Sequence, residues 1–319
     1  MPAAITTSPA IRSRSGFSTL LSDYALLTKP RVSLMVIITA GAGFYLGCLR
    51  SGISPFSRSM VEALFGIALV TAGSSALNQA LERRTDRLMI RTAQRPMAQH
   101  RVGLVHGLLI GFLLICGGSL YLSWATNMIT GTLTLLTAAS YVGVYTPLKR
   151  ITTLNTFIGA FPGALPPLIG WTAARGIIEW PAVALFAVLF IWQFPHFMAI
   201  GWMYREEYAG AGIRVTASQK PLGWAAKSTA IQAIFYAVIM IPASLWLVPL
   251  GVDGKLYGVA ALALGLWYLT ASIQFAKIAG DPENPDARKL ARHLLKVSVI
   301  YLPLLLAAMM LDARGRLFF

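Results

Sequence analysis

The sequence predicts an all-α integral membrane protein, and two observations carry that prediction. First, 56% of the 319 residues are hydrophobic and only 12% are charged, with a mean hydropathy of +0.64. A soluble protein of this length carries roughly twice that charged fraction. Second, apolar runs recur along almost the whole chain, each long enough to cross a hydrocarbon core as a helix of about 20 residues.

Nine such runs follow one another, and each predicts one transmembrane helix. Several contain glycine or proline, which membrane helices tolerate when their neighbours satisfy the freed backbone groups. One such run also occurs as a buried helix of a large soluble enzyme, but nine in succession exclude that interpretation. The predicted spans are residues 32–49, 60–79, 103–122, 125–146, 156–174, 181–203, 229–250, 255–275 and 294–312.

The distribution of basic residues predicts the orientation. With nine spans, 21 of the 27 Lys and Arg residues fall on the side that holds the N-terminus. The positive-inside rule therefore predicts a multi-pass protein of the cell inner membrane, with a cytoplasmic N-terminus and a periplasmic C-terminus. The mitochondrial inner membrane is the alternative. The net charge of +15 then reflects topology and attraction to anionic membrane lipids, so no nucleic-acid partner is expected.

The N-terminal segment and the cysteines give less information about fold and function. Residues 1–22 are rich in Ser and Thr and contain no acid. We expect a disordered cytoplasmic tail there, with an organellar transit peptide as the alternative, and a single transmembrane domain over residues 23–319. Cys48 and Cys116 fall in or beside predicted spans and do not suggest a disulfide framework.

The stretch LNQALERRTDRLMIRTAQRP, residues 77–96, concentrates charge in an otherwise apolar chain. Asn78, Glu82 and Asp86 recur every four residues, which places them on one helix face about 6 Å apart. Three oxygen-bearing side chains suit Mg²⁺, which is often bound by one or two carboxylates together with substrate phosphates. The alternative is that the two acids only form salt bridges with neighbouring arginines on a solvated helix end.

A second acidic group ends the sixth predicted span. Glu206 and Glu207 lie there between two tyrosines, on the same predicted side as the first stretch. Carboxylates that face each other across a bundle can hold a diphosphate through bridging metal ions. A basic, metal-binding mouth on an apolar bundle implies a substrate with an anionic head and a long apolar tail. The basic side chains expected to bind the anion are Arg91, Arg95, Lys149 and Arg150.

These residues carry a family resemblance. The pattern Asn78-x3-Glu82-x3-Asp86-x2-Met89-x-Arg91-Thr92-x2-Arg95-Pro96 resembles the first acidic signature of the UbiA-type intramembrane prenyltransferases. Within that superfamily the chain most resembles the protohaem IX farnesyltransferase (haem O synthase) branch. That narrower resemblance rests on YTPLKR at 145–150, GAFPGALPPLIGW at 159–171, WQFPHF at 192–197 and YREEY at 204–208.

The resemblance implies a UbiA-type bundle of nine helices with a central cavity capped by cytoplasmic loops. It also implies that Mg²⁺ binds the donor farnesyl diphosphate, that the C1–O bond ionises, and that the allylic cation alkylates a vinyl group of the acceptor haem B. Water completes the product, haem O. Diphosphate leaves only if cations already in place meet its growing charge, and dry walls keep water from the cation until then.

Residue by residue, Asn78, Glu82 and Asp86 match the first metal-binding motif of the family. Glu207 falls at its second acidic site with Glu206 beside it. Many members have Asp at the position of Glu82 and aspartates spaced along a turn at the second site, so the number of bound ions stays open. The resemblance implies catalytic roles for Lys149 and Glu207 besides the first motif, and substrate contacts for Arg91, Arg95, Tyr145, Lys149 and Arg150.

His196 lies in WQFPHF, close to the end of the sixth predicted span. A single histidine in a membrane helix is usually a hydrogen-bonded structural group. With the family resemblance, a role as ligand of the haem iron or as contact of a propionate becomes the alternative.

Two other functions are consistent with the sequence. One is a UbiA-type prenyltransferase that acts on a quinone precursor or a chlorophyllide. The other is a transporter whose charged residues line a path through the membrane, although the acids cluster at one membrane face. If the haem branch is right, a haem A synthase or oxidase assembly factors are the candidate protein partners.

Overall fold

The computed structural model describes residues 17–313, with side chains from Leu21 onward. Within that range the protein is helical and has no strand, which confirms the predicted fold class. The helices are α1 (Phe17–Leu27), α2 (Pro30–Ser51), α3 (Arg58–Asp86), α4 (Leu104–Ala125), α5 (Met128–Leu148), α6 (Asn155–Arg175), α7 (Trp180–Met203), α8 (Arg205–Gly210), α9 (Leu222–Leu245), α10 (Lys255–Phe275) and α11 (Ala287–Asp312).

Nine of the helices in the described range, α2 to α7 and α9 to α11, are long and apolar enough to cross a membrane. This confirms the predicted number of spans and a multi-pass membrane protein. The seventh span begins at Leu222 instead of residue 229, and the ninth at Ala287 instead of 294. Both helices extend beyond their apolar windows into segments that carry Lys or Arg, which hydropathy alone does not count as part of a span.

The prediction that residues 1–22 form a disordered tail is wrong from Phe17 onward. Helix α1 begins there and runs to Leu27. Its carboxyl end is held by Gln79 of α3, whose Nε2 donates to the carbonyls of Leu26 and Leu27 at 3.0 Å each. Residues 1–16 lie outside the described residues.

Close backbone contacts hold α2 against α6. A Cβ on Gly43 would lie 1.9 Å from the carbonyl oxygen of Pro167, and one on Gly170 would lie 1.8 Å from that of Ala40. No side chain fits at either position, so glycine lets the two backbones touch. In a membrane, where lipid is as apolar as leucine, such close packing is a main source of helix association.

Five of the spanning helices, α2, α3, α5, α6 and α7, surround a central cavity. The largest apolar cluster lies beside it, where α6 and α7 pack against α9, α10 and α11 around the buried rings of Trp171, Trp202, Tyr268 and Tyr301. The cavity therefore has a rigid wall on one side.

Helix α5 departs from regular geometry where it meets the charged end of the cavity. Residues Ser140–Tyr145 form a π-helical stretch. Such stretches are frequent at functional sites because the added residue redirects the side chains that follow. Here Tyr141, Tyr145 and Lys149, spaced four residues apart, all line the cavity.

Candidate active site

The central cavity has a volume of about 510 Å³ and a strongly polarised lining. One end is built from charged side chains and the remainder mostly from aliphatic and aromatic ones. The charged lining consists of Lys29, Glu82, Asp86, Arg91, Arg95 and Lys149. These side chains come from four segments of the chain, and only two of them are acidic.

Glu82 stands at the centre of the charged end. Its Oε1 accepts from Lys149 Nζ at 2.5 Å, and its Oε2 lies 3.9 Å from Arg95 Nη1. Burial alone would lower the pKa of Lys149, but the pKa is raised because Tyr145 and Glu82 lie against the ammonium group. Lys149 therefore stays charged, and its Nζ also sits 4.6 Å from the centre of the Tyr145 ring.

Asp86, one helical turn further along α3, is almost fully buried at 1% exposure. Both of its carboxylate oxygens lie 2.8 Å from Arg95 Nη1. The loop after α3 is tied to the same residue, since Thr92 Oγ1 donates to the Asp86 carbonyl at 2.9 Å. The loop that carries Arg95 is thus anchored to the backbone of Asp86 through Thr92, whose carbonyl accepts from the Arg95 N–H at 3.0 Å.

Asn78, the third residue of the predicted motif, is completely buried behind the cavity wall. Its Oδ1 accepts from Lys29 Nζ at 2.5 Å, and its Nδ2 donates to Thr146 Oγ1 at 3.1 Å. The amide therefore connects α3 to α5 and to the residue that precedes α2. Lys29 lines the cavity, whereas Asn78 does not.

Lys29 also lines the charged end of the cavity, although no sequence motif indicates it. It precedes Pro30, the first residue of α2, and has a left-handed backbone with φ of 48°. Such a conformation is uncommon for a residue other than glycine and marks a constrained position. Burial, together with the nearby charges of Arg95 and Lys149, lowers the pKa of Lys29 to about 7.

Arg91 joins the loop after α3 to helix α8. Its Nη2 donates to the hydroxyl of Tyr208 at 3.0 Å, and its guanidinium lies over the rings of Tyr204 and Tyr208 at 5.1 and 5.7 Å. Met89 on the same loop packs against Ile213 beyond α8. The two predicted acidic segments therefore meet at the charged end and cover it.

The adjacent acids of the second segment point in different directions. Glu206 is 86% exposed and pairs with Arg205 at 3.2 Å, outside the cavity. Glu207 is turned inward, with its Oε2 buried and without a hydrogen-bond partner in the described chain. Neither residue lines the cavity that holds the first carboxylate pair.

Two further predicted site residues lie away from the cavity lining. Arg150 is exposed on the loop after α5. His196 packs against α11, where its Nδ1 bonds to Ser298 Oγ at 2.8 Å and its ring stacks on Trp192. This placement favours the structural interpretation of the histidine over contact with a ligand in the cavity.

The oxygen atoms at the charged end fit a magnesium ion that arrives with a substrate. In residues 17–313 no group of three or more Asp, Glu, His or Cys side chains is assembled that could hold a metal by itself. Glu82 and Asp86 provide two carboxylates on one helix face, with the Asn78 amide oxygen one turn away. Mg²⁺ bound by few carboxylates takes its remaining oxygens from water and from phosphates. The fit therefore depends on an anionic ligand beside the metal.

Comparison with known proteins agrees with this geometry. The sequence pattern of the UbiA prenyltransferase family matches residues 35–297, which include every charged residue of the cavity except Lys29. The chain belongs to the UbiA prenyltransferase family. The resemblance seen in the acidic signature is thereby confirmed.

Curated relatives within the family are close. A protoheme IX farnesyltransferase of Koribacter versatilis is 44% identical over 306 residues, which cover 96% of this chain and 98% of that relative. A second, from Solibacter usitatus, is 39% identical and covers 92% of this chain and all of the relative. The similarity to both relatives therefore extends over nearly the whole of this chain.

Solved structures of the family share the fold. A digeranylgeranylglyceryl phosphate synthase superposes with a TM-score of 0.73 at 16% identity, over 92% of this chain and 98% of the other. A UbiA homolog from Archaeoglobus fulgidus, bound to GPP and Mg²⁺, gives 0.61 at 17% identity, over 90% and 99%. At these identities the likeness establishes the UbiA fold.

Proposed function

We propose that this chain transfers the farnesyl group of farnesyl diphosphate to a vinyl group of haem B, adding water to give haem O. The observation that carries the proposal is the pair of carboxylates, the partly buried Glu82 and the buried Asp86, flanked by Lys149 and Arg95 at one end of an apolar cavity. End-to-end similarity to protoheme IX farnesyltransferases supports haem as the acceptor.

The diphosphate would bind at the charged end. Lys149 and Arg95 are anchored on carboxylates at 2.5 and 2.8 Å, and both side chains line the cavity. They can exchange a carboxylate partner for a phosphate oxygen by small side-chain movements. Bound Mg²⁺ supplies the positive charge that stabilises diphosphate as a leaving group, and Asn78, Glu82 and Asp86 would hold it.

The charge balance of this end favours joint binding of metal and diphosphate. Two carboxylates share this end with three basic groups, Arg91, Arg95 and Lys149, and Lys29 adds part of a fourth positive charge at neutral pH because its pKa is about 7. The site is therefore positive before any ligand binds. A divalent cation alone adds unfavourable charge, whereas a cation with a diphosphate leaves the site close to neutral.

The apolar remainder of the cavity suits a prenyl chain. Its walls include Val36, Ile67, Val70 and Ile169. The hydroxyl of Thr39 at the same depth donates to the carbonyls of Met35 and Val36 on its own helix, at 2.9 and 3.0 Å. The wall therefore presents mostly methyl groups, which keep water away from an allylic cation.

The opposite wall, formed by α7, is aromatic. Trp192 and Phe197 line the cavity there, and Trp192 is fixed because its Nε1 donates to the carbonyl of Ser298 at 2.9 Å. Flat aromatic faces suit stacking against a porphyrin. We place the haem against α7 and the farnesyl chain between α2 and α3.

The basic charged end would face the cytoplasm of a bacterial cell with the protein in the inner membrane, as the distribution of Lys and Arg suggests. Cytoplasmic farnesyl diphosphate would then reach the cavity directly, and haem B would enter from the membrane. A haem A synthase or oxidase assembly factors remain the protein partners we propose.

A test of the acceptor uses purified protein in lipid vesicles with farnesyl diphosphate and Mg²⁺. Haem B is supplied in one reaction and a quinone precursor, 4-hydroxybenzoate, in a second. We expect mass spectrometry to show haem that has gained a farnesyl group and water, with the benzoate unchanged. Prenylated benzoate together with unmodified haem would overturn the proposal in favour of the quinone branch.

A further inference from the structure

Gln193 is a buried polar residue at the cavity wall that has no role in metal or diphosphate binding. It lies in the middle of α7 within an otherwise apolar span, and it is 5% exposed. A primary amide in a membrane helix is costly unless its hydrogen bonds are satisfied, and such residues usually face a functional cavity. Gln193 does line the cavity.

The amide is held in one orientation. Its Nε2 donates to the carbonyl of Ala160 on α6 at 3.1 Å and to that of Leu189 on its own helix at 3.0 Å. Both amide hydrogens are used, and the reverse orientation would set the amide oxygen against two carbonyl oxygens. The Oε1 atom is left without a donor from the described residues, as a fixed acceptor at the cavity wall.

Gly163 makes room for that acceptor. A Cβ at this position would lie 2.2 Å from Gln193 Oε1, closer than any side chain permits. Gly163 also lines the cavity, so the amide oxygen rests on the bare backbone of α6 at the surface of the opening. The position of the amide oxygen therefore depends on both Gly163 and Gln193, which lie thirty residues apart in the sequence.

The amide oxygen of Gln193 lies deeper in the cavity than the charged end. Gly159 on α6 lies beneath the ring of Tyr145, where a Cβ would come within 2.5 Å of the ring, and Lys149 Nζ is 4.6 Å from the centre of that ring. Gly163 lies one turn, about 6 Å, further from the charged end on the same face of α6. Because Gly159 contacts Tyr145 and Gly163 contacts Gln193, the Gln193 Oε1 atom lies about one helical turn deeper in the cavity than the Tyr145 ring.

We propose that Gln193 positions the water molecule that completes the addition to haem, an inference that rests on the proposed function. The farnesyl C1–O bond breaks and its electron pair leaves with the diphosphate. The π electrons of the vinyl group form the new bond to C1, so the positive charge moves to the vinyl carbon next to the porphyrin ring.

Water then supplies an oxygen lone pair to that carbon. Before the attack, one water hydrogen is donated to Gln193 Oε1, which turns the lone pair toward the cation. The proton released after attack passes to the departing diphosphate. A neutral amide suits this position because it accepts a hydrogen bond, while a carboxylate would compete with water as a nucleophile.

Without a positioned water, the same cation has another outcome. It loses a proton from the adjacent carbon to the diphosphate and gives a farnesylated haem with a double bond and no hydroxyl group. The two products differ by one water in mass. Their ratio therefore reports the position of the water and is independent of how much substrate has been converted.

The test compares this product ratio in three variants. Gln193→Met removes the acceptor, and Gly163→Ala displaces it while the amide stays. Gln79→Met is the matched control, because Gln79 Nε2 also donates to two backbone carbonyls but does not line the cavity. Haem products formed in ¹⁸O-labelled water are resolved by mass, and affinities for both substrates and melting temperatures are measured alongside.

We expect the share of product without hydroxyl to rise about tenfold in both Gln193→Met and Gly163→Ala, with substrate affinities close to wild type. Gln79→Met should have the wild-type ratio even if its melting temperature falls. If Gln193→Met does not fold, Gly163→Ala decides the question, because it leaves the amide in place and only displaces its oxygen.

A wild-type product ratio in any folded variant that lacks or displaces the acceptor overturns the assignment of Gln193. So does an equal change of the ratio in Gln79→Met, since the effect would then follow from lost stability. The proposed function fails separately: it is refuted if the wild-type protein forms no farnesylated haem at all.

Discussion

Carboxylates are withdrawn from solvent at both ends of the bundle, but only those at the charged end lie against basic side chains. At the charged end, Glu82 and Asp86 each lie within 2.5–2.8 Å of a basic group. At the other end, Asp253 and Asp312 are 4% and 1% exposed. Of their four carboxylate oxygens, only Asp312 Oδ2 has a hydrogen-bond partner among residues 17–313, the backbone N–H of Tyr257 at 2.8 Å.

The difference shows which buried acids can remain charged. Burial, and to a lesser degree Asp312, raises the pKa of Asp253 to about 8, so this group is protonated at neutral pH. The acids of the charged end instead lie against Lys149 and Arg95, and we propose that they exchange these partners for a metal that arrives with a diphosphate. Removing charge should therefore be severe at one end and mild at the other.

The largest expected effect follows from neutralising the charged end. Glu82→Gln and Asp86→Asn each keep the side-chain shape but remove the negative charge that would hold Mg²⁺. We expect turnover to fall by about 10³-fold or more in each variant, with melting temperatures near wild type.

The control for these variants is Glu62→Gln on the same helix. Glu62 forms an ion pair with Arg58 at 2.7 Å far from the cavity, so its loss should leave turnover unchanged. Near-normal turnover of folded Glu82→Gln protein would refute the assignment of the metal site.

A smaller effect is expected from the lysine that would contact the diphosphate. Lys149→Met keeps the apolar stem and removes the ammonium group, so the KM for farnesyl diphosphate should rise about 10- to 100-fold, while haem affinity stays the same. Arg150→Met is the matched control, since Arg150 lies next to it but is exposed. Equal effects of the two changes, or lost haem binding in Lys149→Met, would show that the halves of the cavity are misassigned.

The histidine should affect stability alone. His196→Ala removes the bond to Ser298 and the stacking on Trp192, so we expect the protein to lose about 1–3 kcal/mol of stability. Paired titrations of haem and of farnesyl diphosphate should give affinities within about twofold of wild type. A selective loss of haem affinity would instead restore the haem-ligand interpretation.

The smallest effect on turnover is expected from Asp253. The folded protein keeps a proton on Asp253 that the unfolded chain has released above its ordinary pKa of 3.8, so the stability contributed by this group falls as the pH rises from about 4 to about 8. Asp253→Asn is neutral at every pH, so its stability relative to wild type should rise by about 1.4 kcal/mol for each pH unit between pH 5 and pH 8, with unchanged turnover. Thermal unfolding at pH 5 and pH 8 measures this; an equal stability difference at both values would contradict the raised pKa.

The sequence predicted the fold well because hydropathy and spacing are local properties. Nine apolar runs were enough for the number of spans, and the four-residue spacing of Asn78, Glu82 and Asp86 was enough to place them on one face. The extent of α9 was harder, because its first turns carry Lys227 and fall outside an apolar window.

The features of the site that the sequence does not predict depend on contacts between residues that are far apart in the chain. Lys29 reaches Asn78 from 49 residues away. Gln193 acquires its orientation from a carbonyl of α6, and His196 its partner from α11. Adjacent residues on a helix point about 100° apart, so only one of Glu206 and Glu207 can face inward, and the sequence does not say which.

The central claim is that Glu82 and Asp86 hold the metal that binds the diphosphate. Its most direct test is a crystal structure with Mn²⁺ in place of Mg²⁺ and a non-reactive thio analogue of farnesyl diphosphate. We expect an anomalous scattering peak within coordination distance, about 2.0–2.3 Å, of oxygens from both carboxylates, with Lys149 moved from Glu82 to the diphosphate. A metal peak at Glu206, or a diphosphate bound elsewhere while Lys149 remains on Glu82, would contradict the account.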